Sequence, residues 1–253
     1  MSNWQMLAEE IQQWSSPVQF WWRDDDAVAN SGALQRLLML AAQFQIPVHL
    51  AVIPESLQAS LSVINKVQHS ANCYVLQHGY DHRSYALEGQ RKIELGGSQD
   101  IPSLLKKLAL GQQLLKSRFG EQYLNILVPP WNRIADEVAS QLPAMDYTQL
   151  SVLGSKKQAE SDFNLNVHID IIDWKQRCFA GEDAILTKII SHLREQRLAG
   201  LDRNIKPCGF MTHHLDHDLN SWLFISQFFQ FCQQQENVEW LSGQQLHQFT
   251  NVS

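Results

Sequence analysis

The 253-residue chain has no run of basic residues, no apolar stretch near the length of a membrane span and no closely spaced pair of cysteines. Its 20 Lys plus Arg stand against 26 Asp plus Glu, a formal charge of −6. Without a stripe of cations to track phosphates, nucleic acid is not expected as a partner. No run approaches the ~20 apolar residues that cross a bilayer, so a membrane is not expected either. Met1 to Glu10 carries neither the basic end nor the apolar centre of a secretion signal, which points to a cytoplasmic protein. The scattered Cys73, Cys178, Cys208 and Cys232 lack finger-type metal spacing and read as reduced thiols packed in a core. No linker-like segment divides the chain, so residues 1–253 are read as a single domain.

What the chain does have is an apolar run that stops on three consecutive acids, Trp21-Trp22-Arg23-Asp24-Asp25-Asp26. Adjacent carboxylates repel, and a buried strand ending on them calls for a cation, a metal ion or one acid held protonated. Two further polar clusters follow apolar runs: His78-Gly79-Tyr80-Asp81-His82 and His213-His214-Leu215-Asp216-His217-Asp218. Around them strand and helix patterns alternate. Helical stripes are formed by Trp4, Leu7, Ile11 and Trp14; by Leu34, Leu37, Leu38, Ala41 and Phe44; and by Leu57, Leu61, Ile64 and Val67. Asp100 is an N-cap candidate for a helix stopping at Gly120, and a short helix is expected over 134–142. Ile185, Leu186, Ile189, Ile190 and Leu193, then Trp222, Ile225, Phe229 and Cys232, make the last two long stripes. Short strands are expected over 18–22, 47–53, 73–76, 124–128, 147–152, 167–172, 208–211 and 238–241.

This alternation predicts an α/β fold of mainly parallel strands joined by right-handed crossovers, with sites at the carboxyl ends of the strands. The acid run, the two histidine clusters, Trp131 and Asp173 all fall at such ends. Periodicity alone does not separate a barrel from an open sheet. The segment from Gly79 to Gln99 has no clear period and reads as a long loop of the kind that carries function.

Two histidines four residues apart beside a carboxylate make a reasonable metal set, since a helix-like turn points both imidazoles one way. In a chain with ten histidines that spacing is weak by itself. Two carboxylates beside an ion have separable roles: one binds it, the other takes a proton from water. A histidine opposite can then protonate a departing amine.

Taken in order, the strand-end motifs Asp-Asp, His-x-x-x-His, Pro-Pro-aromatic, Asp-Trp and x-Thr-His resemble those of the polysaccharide deacetylases, carbohydrate esterase family four, from about Val18 to His214. The resemblance implies a distorted β/α barrel of about seven mainly parallel strands. It implies a metal-dependent hydrolase of carbon–nitrogen bonds other than peptide bonds, removing an acyl group, in the simplest case acetyl, from an amino sugar or related amide. Asp24 would be the general base, and Asp25, His78 and His82 would hold one divalent ion, with Zn2+ expected. His213 would be the general acid, oriented by Asp173. Pro130 and Trp131 of the third motif, with Trp174 and Tyr80, would line the site for a small-molecule or oligosaccharide substrate.

Two positions depart from the family pattern. The third motif there opens with an arginine that pairs with the base; Val128 stands in its place here, leaving Arg23 or Arg133 to supply the charge. Asp26 replaces the glycine that closes the first motif, as a further metal ligand, as a charge that repels an anionic substrate, or as a helix cap. Two other readings stay open: a carbohydrate-binding protein without catalysis on the same fold, and a hydrolase of small non-sugar amides.

Overall fold

The computed structural model describes residues 1–66, 72–154, 162–200 and 206–246. Its axis is the long strand β1 (Val18–Ala27), which pairs in parallel with β2 (Val48–Val52) on one side and β9 (Cys208–Thr212) on the other. Beyond β2 lie β3 (Cys73–His78), β4 (Tyr123–Val128) and β5 (Gln149–Leu150); beyond β9 lies β6 (Ile169–Asp170). Every pair in this row is parallel, and β10 (Val238–Trp240) adds itself to the first residues of β1.

Between β5 and β6 the ring is completed by irregular chain. Leu150 N–H donates to Phe163 O at 2.9 Å, Leu165 N–H to Leu150 O at 2.9 Å, Val167 N–H to Val152 O at 3.0 Å and His168 N–H to Gly209 O at 2.8 Å. The sheet is a distorted β/α barrel, regular on one side and looped on the other. This irregular pairing is also why the strand expected over 147–152 shortens to two residues. The strand expected over 167–172 breaks as well. Asp170 Oδ1 accepts the Ile172 N–H at 2.9 Å, a local turn that competes with the ladder and sends the chain into the hairpin of β7 (Ile172–Asp173) and β8 (Cys178–Phe179).

The helices follow their apolar stripes. Helix α1 (Asn3–Gln12) buries Leu7 and Ile11. Helix α2 (Gly32–Phe44) is capped by Ser31 Oγ and buries Leu34, Leu37, Leu38, Ala41 and Phe44. Helix α3 (Ile101–Phe119) starts on Asp100, whose side chain takes the Ser103 N–H, and ends at Gly120 with φ 54°. After the short α4 (Asp136–Ala139), α5 (Glu182–Leu198) and α6 (Leu219–Gln233) cover the far side, and α7 (Gly243–Leu246) follows β10. The stripe from Leu57 forms a 3-10 helix, Ala59–Asn65, that buries Leu61 and Ile64; Val67 lies outside the described residues. Among the described residues no helix is long and apolar enough to cross a membrane. All four cysteines are free thiols, three of them buried.

Two apolar layers result, and β1 alternates between them. Phe20 and Trp22 face outward into the layer shared with the helices, where Phe228 and Phe229 pack against them. Trp21 faces the barrel interior with Ala51, Tyr74, Leu76, Ile126, Val128 and Met211. That alternation decides where the acids at the end of β1 can point.

An ion-pair cluster ties α1 to α5. Glu10 is fully buried; Arg197 Nε donates to its Oε1 at 2.7 Å, and Arg194 Nε to its Oε2 at 3.2 Å. Burial pushes the Glu10 carboxyl up, but the two guanidinium groups outweigh it and hold the carboxyl below its ordinary 4.5. A carboxyl depressed on folding contributes stability that is present above its unfolded pKa and is lost as pH falls through the folded one. The stability gap between wild type and Glu10→Gln is therefore expected to be steady near neutrality and to close as pH drops below about 4.5, as read by urea unfolding at a series of pH values. A gap that does not depend on pH would contradict the ion-pair account.

Candidate functional site

The carboxyl ends of β1, β3, β4 and β9 meet at one mouth of the barrel, and β1 delivers its three acids there in different directions. Asp24 is fully buried and points outward with Trp22. Its Oδ2 accepts the Thr212 hydroxyl and the His214 N–H, the latter at 3.0 Å, and its Oδ1 meets His214 Nδ1. Burial raises the Asp24 carboxyl, but the charge and hydrogen bond of His214 prevail and hold it low. For His214 burial works downward, and the Asp24 charge prevails to raise it. Asp24 is thus committed to a pair behind the sheet, not to the mouth.

Asp25 faces inward beside Arg23, the nearest residue on the same face of the strand. Arg23 is fully buried, with Nε 2.9 Å from Asp25 Oδ1 and a second guanidinium nitrogen 3.0 Å from Oδ2. The remaining donors reach Ser151 O at 3.1 Å, Ser151 Oγ at 2.7 Å and Asn132 Oδ1 at 2.8 Å. Across the mouth, His213 Nε2 lies 3.9 Å from Asp25 Oδ2, and its buried Nδ1 has no hydrogen-bond partner among the described residues.

Asp26 breaks the alternation. Its φ of 70° is left-handed, a conformation uncommon for non-glycine residues though better tolerated by aspartate than by most. The kink coincides with the register shift between β1 and β2 and returns the Asp26 carboxylate to the mouth. There Asp26 Oδ1 stands 3.1 Å from His78 Nε2 and 3.2 Å from His82 Nε2. The carboxylate expected to join the two histidines was Asp25; the one that does so is Asp26. Ser31 supplies the cap of α2, so Asp26 is not spent on it.

Asp26, His78 and His82 fit a divalent cation. Their ligand atoms all lie within 4.8 Å of one another. His78 Nδ1 is 2.9 Å from Val128 O, a bond that places the proton on Nδ1 and leaves the Nε2 lone pair aimed at the cluster. Among the described residues, the buried Asp26 Oδ1 is approached by no donor other than the His78 and His82 imidazoles. Burial raises the Asp26 carboxyl, yet the adjoining His78 and His82 hold it far below the usual range. His82 shifts down through burial and the charge of His78, whereas His78 is raised by Asp26 against its own burial. A second group, His168, His192 and Cys208, is a poorer fit. Its two imidazoles stack at 4.0 Å and 26°, so their in-plane lone pairs do not converge, and His168 Nδ1 accepts the Gly209 N–H at 3.0 Å.

The other expected residues are distributed around this centre. The Trp131 ring packs against His82 at 4.7 Å, from a left-handed backbone shared with Asn132. Lys92 Nζ lies 5.6 Å over the same ring. Pro130 is buried and packs against Gly79. Tyr80 is held by its backbone, its N–H on Glu94 Oε1 at 2.6 Å and its carbonyl accepting the Glu55 N–H at 2.9 Å. Trp174 is half exposed and stands edge-on to His213 at 4.6 Å. Asp173 does not reach His213: its Oδ1 accepts the N–H groups of Lys175 and Gln176 in the hairpin turn. Asp170 reaches the neighbourhood of His213 through the indole instead, its Oδ2 accepting Trp174 Nε1–H at 2.7 Å. Burial raises the Asp170 carboxyl, and the charge of His213 opposes the shift.

Asp170, Asn132, Ser151 and Glu94 all serve this centre and escaped the sequence motifs. Asp170 carries a faint signal, since it stands four residues before Trp174 in a strand pattern. Glu94 carries none.

No protein-family model and no curated protein matches the sequence. Among solved structures, the chain is similar to a Mycobacterium smegmatis structure described as a polysaccharide deacetylase, with 15% identity, a TM-score of 0.64 and coverage of 93% of each chain. It is similar to the peptidoglycan deacetylase PdaC from Bacillus subtilis, with 14% identity, a TM-score of 0.57 and coverage of 93% of this chain and 92% of the other. A family 4 carbohydrate esterase from Streptomyces lividans aligns at 16% identity and a TM-score of 0.51, over 87% of this chain and 89% of that one. At such identities the likeness establishes the fold.

Proposed function

From a chain with the fold of the polysaccharide deacetylases and family 4 carbohydrate esterases, we propose a divergent member of that family: a metal-dependent hydrolase that removes an acyl group, in the simplest case acetyl, from an amino sugar or related amide. One observation carries the reading. A cation-fitting set, Asp26 with His78 and His82, shares one mouth with an inward carboxylate, Asp25, and a facing imidazole, His213.

Asp26, His78 and His82 hold one divalent ion, and two imidazoles with a carboxylate suit Zn2+ with positions left open. Bound there, such an ion supplies fixed positive charge that acidifies water and polarises an amide carbonyl. Asp25, its carboxylate oriented by the two-point contact with Arg23, accepts the proton of the attacking water. His213 stands on the opposite side of the mouth and delivers a proton to the leaving nitrogen. Trp174, anchored through Asp170, fixes the edge of the His213 ring and excludes water from it. Trp131 presents an aromatic wall next to His82 on which a sugar face can stack. Relative to the family pattern the acid pair moves one residue along the chain, from Asp24–Asp25 to Asp25–Asp26.

Elemental analysis of the purified protein is expected to find about one divalent ion per chain. A His78→Ala/His82→Ala variant is expected to lose it while keeping its circular dichroism spectrum. Acetate release from N-acetylated sugars should depend on that ion and return when Zn2+ is added back to stripped wild type. Wild type that takes up no ion after soaking in Zn2+ would remove the hydrolase reading.

A further inference from the structure

Glu94 lies in the irregular chain between β3 and α3, and it is fully buried. Its carboxylate is filled by one side of a single loop. Oε1 accepts the N–H groups of Tyr80 at 2.6 Å and Asp81 at 3.2 Å, and Oε2 accepts the N–H of His82 at 2.9 Å. Three successive backbone N–H groups turned to one point form a concavity that ordinarily takes up an anion. Here the anion is a side chain of the same protein.

The loop has the shape such an arrangement requires. Gly79 (φ 52°) and His82 (φ 54°) are both left-handed, and a β-carbon on Gly79 would collide with Glu94 Oε2 and Pro130. The His82 side chain remains 26% exposed, so packing alone does not fix it. Glu94 is itself braced from the other side of the mouth. The next residue, Leu95, pairs with Ile134, and its carbonyl accepts the Ala135 N–H at 2.8 Å, just after Trp131.

We propose that Glu94 is the positioning residue of the metal centre: by gathering the backbone N–H groups of Tyr80, Asp81 and His82, it aims His82 Nε2 at Asp26 before any ion arrives. The proposal rests on reading Asp26, His78 and His82 as ligands. It assigns the metal site a partner at the backbone of a ligand rather than at its imidazole, and it accounts for a buried acid that has no ion pair of its own among the described residues. A carboxamide cannot replace it. Three N–H donors need acceptors on both oxygens, and the side chain introduced by Glu94→Gln would set an NH2 group against at least one of them.

The test uses the full-length chain, stripped of metal. In Glu94→Gln, hydrogen exchange of the 79–82 segment is expected to speed up in the metal-free protein. Zn2+ affinity, measured against a competing chelator, is expected to weaken ~10–100-fold, the usual effect of removing a partner that orients a ligand. Glu94→Asp keeps the charge but withdraws it by one methylene; it carries the same expectation and serves if the Glu94→Gln variant does not fold. A wild type that binds Zn2+ beside a folded variant that binds it equally well would overturn the role of Glu94 alone. A wild type that binds no Zn2+ would overturn the metal centre and this proposal together.

Discussion

Arg23→Met is expected to destabilise the protein by about 3–5 kcal/mol and to abolish turnover in what remains folded. The side chain is fully buried, and its donors are divided among Asp25, Asn132 and Ser151. Removing it leaves the Asp25 carboxylate inside the barrel without its paired guanidinium, and leaves the buried Ser151 and the partly buried Asn132 without their donor. Lysine is no remedy, because a single ammonium cannot reproduce a planar fork that reaches three residues at once. Urea unfolding of wild type, Arg23→Met and Arg23→Lys measures the cost. A loss under about 0.5 kcal/mol in Arg23→Met, the range of ordinary surface substitutions, would show that the Asp25 pair is not the anchor proposed.

The same pair explains the departure at the third motif. The arginine that the resembling family places at the end of the fourth strand is Val128 here, buried in the barrel interior, with its carbonyl occupied by His78 Nδ1 and the Gly79 N–H. The guanidinium comes instead from β1, two residues before the acid it serves. Period-two alternation puts Arg23 and Asp25 on one face, so the exchange needs no rearrangement of the sheet. Arg133, the other candidate, donates to Lys92 O at the loop surface and takes no part.

Asp25→Asn is expected to lower turnover by ~10²–10⁴-fold, as removal of a general base does, while a Zn2+ titration still finds the ion site. Asp24→Asn is expected to do the reverse. It lowers the melting temperature by breaking the buried pair with His214, and it leaves the turnover of folded protein near wild type. Rates are compared per folded, metal-loaded chain, because Asp25→Asn also weakens the contact with Arg23. Loss of turnover in Asp24→Asn with retention in Asp25→Asn would restore the unshifted motif alignment and contradict the strand-face argument.

Much of the framework was legible in residue order. The stripe from Leu34 to Phe44 and the stripe from Ile185 to Leu193 are the buried faces of α2 and α5, and Asp100 and Gly120 bound α3. These features are local: side-chain period, caps and breakers act within a few residues, and a linear pattern records them. For the same reason the strand ends could be located, and with them the places where His78, His82, Trp131 and His213 meet. Shorter signals misled: between β5 and β6 a local turn and irregular pairing outweigh a weak apolar pattern, and the stripe from Leu57 forms only a 3-10 helix.

The sequence by itself determined an α/β chain of mainly parallel strands, with acids and histidines gathered at the strand ends, because periodicity and strand termination are written in consecutive residues. Only the tertiary structure decided where each acid points. Three neighbouring aspartates are equivalent as text, and they separate only when β1 sends Asp24 outward to His214, Asp25 inward to Arg23 and, through a left-handed kink, Asp26 to His78 and His82. Glu94 and Asp170 likewise gain their places through contacts 12 to 14 residues away in one case and through a turn and an indole in the other. Such roles depend on direction in space, which a one-dimensional pattern does not contain.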